Sequence, residues 1–434
     1  ERRLLLDVRS NLAYTDETEK AWFYILIYMR TTEGMTDPFG DLTETIFSDK
    51  AVLSESYQPE TILERDEEIE AYRHALKDVL FGREPENIMI YGKAGLGKTA
   101  VTKYMMDALD EEVTEREEAT DLFIHKRNCN GKTLFMIVRS LVNELLPDTA
   151  SKFPKRGLGT GDAFDELYSQ LDRIGGTHLF VFDEIDHLED SNTLLYELSR
   201  AQSNDHIDEA YIGIIGISNN YTFRKSLSSK VKDTLRETEI SFSPYDANEL
   251  VTILETRAEK AFVEDTVDQS AIARASAFSA QDAGNARQAI DLLRVGGEVA
   301  ERQGDRVLVD DHIEDAQTIV KRGRLENRIR DQTDHAQYIL EAVAIIESNG
   351  ETPVRSKGIQ SRYEQVARAN ATDPLTTLKS IQDHLSELHM LGFLTRYERN
   401  EGRSGGVYHE YELDLDAETV IEVRKQIEGE SQAQ

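Results

Sequence analysis

The sequence predicts an α/β protein in three units: a parallel sheet covered by helices on both faces, a purely helical unit, and a terminal unit of helices with a β-hairpin. Three observations predict it. Five apolar runs alternate with stretches of helical spacing: ENIMIYG (86–92), DLFIHKRN (121–128), THLFVFDE (177–184), YIGIIGISN (211–219) and ETEISFS (237–243). Strands apolar on both faces belong in a parallel sheet with helices on each side. From residue 244 to about 330 the strand pattern vanishes and only helical spacing remains. Beyond residue 333, helices precede GFLTRYER and GVYHEYEL, two strand segments flanking the loop NEGRSG. Helices followed by a basic-tipped hairpin make a winged helix.

Taken in order, residues 1–34 read as an extension outside the folded protein, because Met35 opens MTDPFGDLTETIF, a stretch like a natural start. Their apolar run AWFYILIYM (21–29) spans nine residues, where a membrane crossing needs about 20. The RTTEG that follows is a poor cleavage region for a signal peptide. Residues 61–82 carry helical spacing and stop on Gly82. The sheet occupies a domain assigned to 35–243, and the helical unit takes 244–330. Its end is marked by the basic cluster KRGRLENRIR (321–330), a long helix end or a linker. Residues 331–434 form the winged-helix domain.

Composition narrows the function classes. With 82 acidic residues against 50 Lys and Arg, the formal charge is −32. Such an excess resists nucleic acid and membranes at ordinary salt. The acids are spread along the chain, which favours a solvating coat, as in a salt-adapted protein, over a surface for one basic partner. Cys129 is the only cysteine, so an intrachain disulfide and a cysteine zinc site are excluded, and a reducing cytoplasm fits.

Within this frame YGKAGLGKTA (91–100) fits the spacing G-x-x-x-x-G-K-[ST] through Gly92, Gly97, Lys98 and Thr99. The glycines let backbone N–H groups turn inward on phosphates at the positive start of a helix. Lys98 reaches the β- and γ-phosphates, and the Thr99 hydroxyl ligates Mg²⁺. LFVFDEID (179–186) ends a buried strand in Asp183 and Glu184. One carboxylate then lies near Mg²⁺ and the next where it polarises an attacking water. Asn219 closes GIIGISN with an amide that can bond that water or the γ-phosphate, or simply end the strand. Arg287, in GNARQAIDLLR, is either a surface charge or an arginine that folds back on the γ-phosphate and couples nucleotide to domain angle.

These elements, with YQPETILERDEEI (57–69) before the cradle and ISFSPYDANELVTILETRAEKAF (240–262) after it, resemble the archaeal Orc/Cdc family of AAA+ replication initiators. The resemblance runs from about residue 45 to the C-terminus. It implies a AAA+ P-loop domain with a helical lid and a winged helix, and ATP or ADP with Mg²⁺ as cofactors. It also implies duplex origin DNA, the MCM helicase and other initiator paralogues as partners, and a place on the nucleoid. By motif, Gly92, Lys93, Ala94, Gly95, Leu96, Gly97, Lys98, Thr99 and Ala100 hold the phosphates. Asp183 and Glu184 act on Mg²⁺ and water, Asn219 and Arg287 sense the nucleotide, and Tyr57, Arg65 and Tyr245 border it. A second DNA element is implied in SKFPKRGLGTGDAFDEL (151–167), with Lys155 and Arg156 as contacts. One segment departs from the family: SSKVKDTLRETEI (228–240) carries Lys230 and Thr234 where such proteins often present an arginine toward a neighbour's ATP. Lysine lacks the planar fork of arginine, so slow hydrolysis is the expectation.

The DNA-binding expectation rests on local charge. Residues 352–406 hold eight positive and six negative side chains inside a strongly acidic protein. The reading helix is expected over about 375–390, with Thr376, Thr377, Lys379 and Ser380 toward its exposed start. Arg396, Arg399 and Arg403 belong to the wing, and Arg355 and Lys357 add to the basic face. At molar salt the Debye length falls to about 3 Å, so specific contacts and DNA shape must carry more of the affinity. Other classes stay open at this point: a clamp-loader subunit, which would end in a helical collar, and a STAND-like transcription or signalling regulator whose winged helix contacts proteins.

Overall fold

The computed structural model describes residues 45–116, 121–400 and 407–433. The expected extension over 1–34 and Arg403 of the wing lie outside them. The first unit opens with helix α1 (Asp66–Ala75), which begins at Asp66 rather than at residue 61. Residues 61–65 stay out of it because Glu64 is left-handed (φ 57°) and Arg65 takes a non-helical N-cap backbone (φ −142°). The sequence then alternates β1 (Ile88–Tyr91), α2 (Lys98–Thr114), β2 (Leu122–Asn128), α3 (Leu134–Leu145), α4 (Thr160–Ile174), β3 (Gly176–Asp183), α5 (Ser191–Arg200) and β4 (Ala210–Ser218). Two short helices, α6 (Phe223–Ser226) and α7 (Ser229–Leu235), lead into β5 (Thr238–Ser241).

All five strands are parallel, in the order β2-β3-β4-β1-β5. The order reverses after β1: the chain leaves the middle of the sheet and restarts at the far edge. At such a switch point the loops after neighbouring strands diverge and leave a crevice outside their carboxyl ends. One apolar layer fills each face, with Ile88 and Ile90 on one side and Met89 and Tyr91 on the other, as the strand period requires.

Four helices follow: α8 (Ala247–Ala261), α9 (Gln269–Asp282), α10 (Ala286–Gln303) and α11 (Asp310–Arg330). Their ends are chemically marked. Asp246 and Glu249 form a reciprocal capping box at α8, and Asn285 Oδ1 accepts from the Gln288 N–H at α10. The third unit comprises α12 (Asp334–Ser348), β6 (Val354–Arg355), α13 (Ser356–Ala369), α14 (Leu378–Met390), β7 (Leu394–Asn400), β8 (Val407–Leu413) and α15 (Ala417–Ala433). Its strands pair antiparallel in the order β6-β8-β7, which adds a two-residue strand that the sequence pattern does not reveal. The helix expected over about 375–390 spans Leu378–Met390 instead, its start set where Thr377 Oγ1 accepts from the Ser380 N–H. Among the described residues no helix is long and apolar enough to cross a membrane.

Candidate functional site

The turn after β1 enters α2 through Gly95 (φ +80°) and Gly97 (φ +86°). Both need the left-handed region open to glycine. At Gly95 an added Cβ would stand 1.9 Å from Asn285 Oδ1, so the cradle and the start of α10 are in direct contact. Lys98 opens α2 and is 5% exposed. Its Nζ donates to Gly92 O (2.7 Å), Lys93 O (2.7 Å) and Asn219 Oδ1 (2.8 Å), which satisfies all three ammonium donors. Burial pushes its pKa down to about 8, against the opposing pull of Asp183 and Asp186.

Because β3 lies next to β4 and β4 next to β1, the ends of all three strands meet beside this turn. Thr99 Oγ1 donates to Asp183 Oδ2 at 2.8 Å, so a hydroxyl and a carboxylate oxygen share one point. Burial raises the Asp183 pKa, and the Thr99 bond offsets part of that rise. A hard divalent cation takes oxygen donors of this kind, and this pair fits one. Glu184 follows in a left-handed conformation (φ 54°), its backbone N–H donating to Asp183 Oδ1 at 2.9 Å. Non-glycine residues adopt that conformation rarely, and such strain gathers at functional sites.

A cavity of about 780 Å³ lies over the turn. Of the residues singled out in the sequence, it is lined by Tyr57, Ala94, Gly95, Gly97, Lys98, Thr99, Ala100, Asp183, Glu184, Asn219, Tyr245 and Arg287. Arg287 is 59% exposed on the first turn of α10, with its Nε 3.6 Å from Glu55 Oε1. Tyr57 is stacked by Arg257 (4.4 Å), making an aromatic and cationic wall at one side. Leu96 is fully buried in the core, and Gly92 and Lys93 offer the carbonyls that hold Lys98.

Arg65 differs from expectation. The resemblance puts it at the border of the nucleotide, yet it is 4% exposed and absent from the cavity wall. Its Nη2 donates to Leu96 O (3.2 Å) and Ser243 O (2.8 Å), its Nη1 to Glu68 (2.9 Å), and it stacks 3.6 Å from the Tyr245 ring. It therefore braces the cradle from behind.

Several polar residues in or beside the cavity escaped the sequence reading, among them Asn128, Asn285 and Arg324. Asn128 pairs in register with Asp183 and donates to Glu184 Oε2 at 3.3 Å. Its position at the carboxyl end of β2 was a usable signal. Asn285, against Gly95, and Arg324, on α11, come from 190 and more residues away and left none.

The expected DNA residues fall on two faces. Lys155 and Arg156 are exposed in the loop before α4, which is tied down at Phe153 by bonds to Asn143 Oδ1 (2.8 Å) and from Arg139 (3.1 Å). On α14, Ile381, Leu385 and Leu388 are buried while Lys379 is exposed and Ser380 half-buried; Thr376 and Thr377, just before the helix, are exposed. Lys357 is exposed at the start of α13, and Arg396 is exposed on β7. Arg399 Nε donates to Glu410 at 3.0 Å, and Arg355 stacks 3.6 Å over Tyr408 with Glu410 3.7 Å away. Elsewhere Lys230 lies 3.8 Å over the Tyr196 ring and Thr234 bonds Lys230 O, so neither stands near this chain's own cradle.

A phosphate-cradling turn after a central strand, an acidic strand end beside it, a helical lid and a winged helix define a AAA+ ATPase with an appended nucleic-acid-binding type of domain. Family models agree: "AAA ATPase domain" matches 61–207, "Cdc6 AAA+ ATPase-type lid domain" matches 251–318, and "CDC6, C terminal winged helix domain" matches 327–423. ORC1-type DNA replication protein 8 of Halobacterium salinarum is 46% identical over 389 residues, covering 89% of this chain and 98% of that protein. ORC1-type DNA replication protein 15 of Haloarcula marismortui is 43% identical, covering 88% and 93%. The chain belongs to the family of ORC1-type DNA replication proteins. Both relatives are haloarchaeal, in accord with the acidic coat. The Aeropyrum pernix ORC1 protein, solved in complex with DNA, superimposes with a TM-score of 0.76 at 29% identity, covering 88% of this chain and 97% of that one.

Proposed function

We propose that the protein is an ATP-switched replication initiator that binds duplex origin DNA and helps recruit the MCM helicase, in the cytoplasm on the nucleoid and alongside initiator paralogues. The observation that carries this reading is the joining of a complete cradle to a winged helix through one lid, along nearly the whole length of an ORC1-type relative. In the reading, Lys98 and the cradle N–H groups bind the polyphosphate of ATP or ADP. Thr99 and Asp183 would hold Mg²⁺, which supplies charge neutralisation for the phosphates. Glu184 polarises the attacking water, Asn219 orients it, and Arg287 closes the lid on the γ-phosphate. Lys155, Arg156, Arg355, Lys357, Thr376, Thr377, Lys379, Ser380, Arg396, Arg399 and Arg403 serve DNA. Turnover is slow, because the segment holding Lys230 and Thr234 offers a neighbour no arginine at those positions.

The test is fluorescence anisotropy at molar KCl, with duplexes from the source's own origins against scrambled controls. Origin duplexes are expected to bind more tightly, and Lys379→Ala to weaken that preference by about tenfold for a lost specific contact. Equal, weak binding of every duplex would replace this reading with a regulator whose winged helix contacts proteins.

A pH dependence follows from Lys98. Its pKa stands near 8, and an adjacent polyphosphate raises it. Binding therefore takes up a fraction of a proton that grows as pH rises through 8 and is small a unit or more below it. ATP affinity should be flat on the acid side and fall on the alkaline side by up to about tenfold per pH unit. Calorimetry at about pH 9 in two buffers of different ionisation heat measures the uptake. Zero uptake there would remove Lys98 as the responding group.

A further inference from the structure

The basic run KRGRLENRIR lies on α11, and its arginines divide between two partners. Three of them hold the winged helix. Arg322 Nη1 is 3.0 Å from Glu422, and Arg330 Nη2 is 2.6 Å from Glu430. Arg328 donates to Leu391 O at 2.7 Å and stacks 4.5 Å over Phe393. Arg324 turns the other way: its Nη1 lies 3.5 Å from Asp282 Oδ2 at the end of α9, and with Asn327 it lines the cavity over the cradle. Asp282 stands three residues before Asn285, the residue packed on Gly95.

We propose that Arg324 is a second arginine of the same chain for the bound nucleotide, exchanging Asp282 for a polyphosphate oxygen and thereby setting the position of the winged helix. This rests on the reading of the cavity as a nucleotide site. The other cavity arginines are differently committed. Arg294 is clamped between Asp291 (2.6 Å) and Glu298 (2.6 Å), Arg257 bonds Val52 O and stacks on Tyr57, and Arg287 belongs to the lid. Arg324 alone of these four stands on the helix that enters the winged-helix core.

The exchange is cheap, because Arg324 and Asp282 are 41% and 58% exposed and such pairs contribute little. The phosphate contact is stronger, since guanidinium and phosphate match as fork and oxyanion. The coupling comes from the helix itself. Ile313, Ala316 and Val320 of α11 belong to the core shared with the lid, and Leu325 and Ile329 to the core of the winged helix. Leu325 adjoins Arg324, so a shift of the arginine toward a phosphate is transmitted to that second core. Gly323, between the two sets, has low helix propensity and gives the helix its weakest point there.

The experiment uses the full chain with Arg324→Ala and Arg324→Lys. It measures affinity for ATP and ADP, duplex DNA affinity with each nucleotide, and melting without nucleotide. Arg324→Ala is expected to weaken ATP about tenfold with ADP affected less, and to erase the difference in DNA affinity between the two nucleotides. Arg324→Lys restores part of both. Melting without nucleotide stays within about 2 °C, as an exposed pair predicts. Unchanged ATP affinity in Arg324→Ala overturns the proposal. So does an unmodified chain whose DNA affinity is the same with ATP and ADP. An unmodified chain that binds neither nucleotide overturns the reading of the cavity instead.

Discussion

Replacing Lys98 by alanine is expected to reduce ATP affinity by at least about a hundredfold, because two charge-assisted contacts to phosphate disappear together. Lys98 is the one buried lysine among the described residues; burial lowers its pKa to about 8, and three acceptors hold its ammonium. Burial of that kind stabilises nothing by itself, so the fold should tolerate the loss. Removing the side chain relieves the desolvation but leaves Gly92 O, Lys93 O and Asn219 Oδ1 without their donor. These terms oppose one another, and the melting temperature without ligand should move by only a few degrees. A thermal shift with and without ATP makes the measurement. The unmodified protein should melt higher with ATP, since a ligand that binds only the folded state stabilises it by mass action. Lys98→Ala should show no such rise. A variant that retains the full shift would mean that the phosphates sit elsewhere in the cavity.

Arg65→Ala should do the reverse, lowering stability first and nucleotide affinity second. The guanidinium is buried, bridges Leu96 O to Ser243 O and pairs with Glu68, which is 11% exposed. Removing it leaves a carboxylate and two carbonyls in a poorly solvated place, a loss of about 3–5 kcal/mol for a broken buried pair. In a domain of this size that is about 10 °C or more of melting temperature. Arg65→Lys should recover only part, because a single ammonium cannot reach the two carbonyls held by Nη2 and also Glu68, held by Nη1, as the planar fork does. If Arg65 instead touched the nucleotide, Arg65→Ala would weaken ATP while leaving the ligand-free melting temperature unchanged. The two measurements separate the positions cleanly.

The contrast between these two residues marks how far the sequence could be read. Lys98 was legible because its task is local: the glycines, the lysine and the threonine lie within eight residues, and the chemistry of phosphate binding requires them in that order. The five strands were legible for the same reason. A strand buried on both faces must be apolar throughout, as β1, β3 and β4 are, and the two edge strands, β2 and β5, were legible although each is only partly buried. The hairpin and the helix before it also follow from local pattern, although that helix starts at Leu378, after the Thr377 cap, rather than at about 375. The start of α1 did not, since helical spacing continues back to residue 61 while the backbone at Glu64 and Arg65 leaves the helix.

By itself, then, the sequence determined the strands, the cradle, the acidic strand end and the succession of units, all of which depend on neighbours along the chain. The tertiary structure alone decided the order β2-β3-β4-β1-β5, which brings Asp183 and Asn219 to Lys98 from 85 and 121 residues away. It decided that Arg65 braces the cradle from behind, that Asn285 closes on Gly95, and that Glu410 stands beside both Arg355 and Arg399. It also turned Arg324 away from the winged helix that its three neighbouring arginines hold. The physical reason is common to all of these. A charged side chain has several partners within reach of its chemistry, and only the packing of distant apolar segments against each other selects which partner comes within hydrogen-bonding distance.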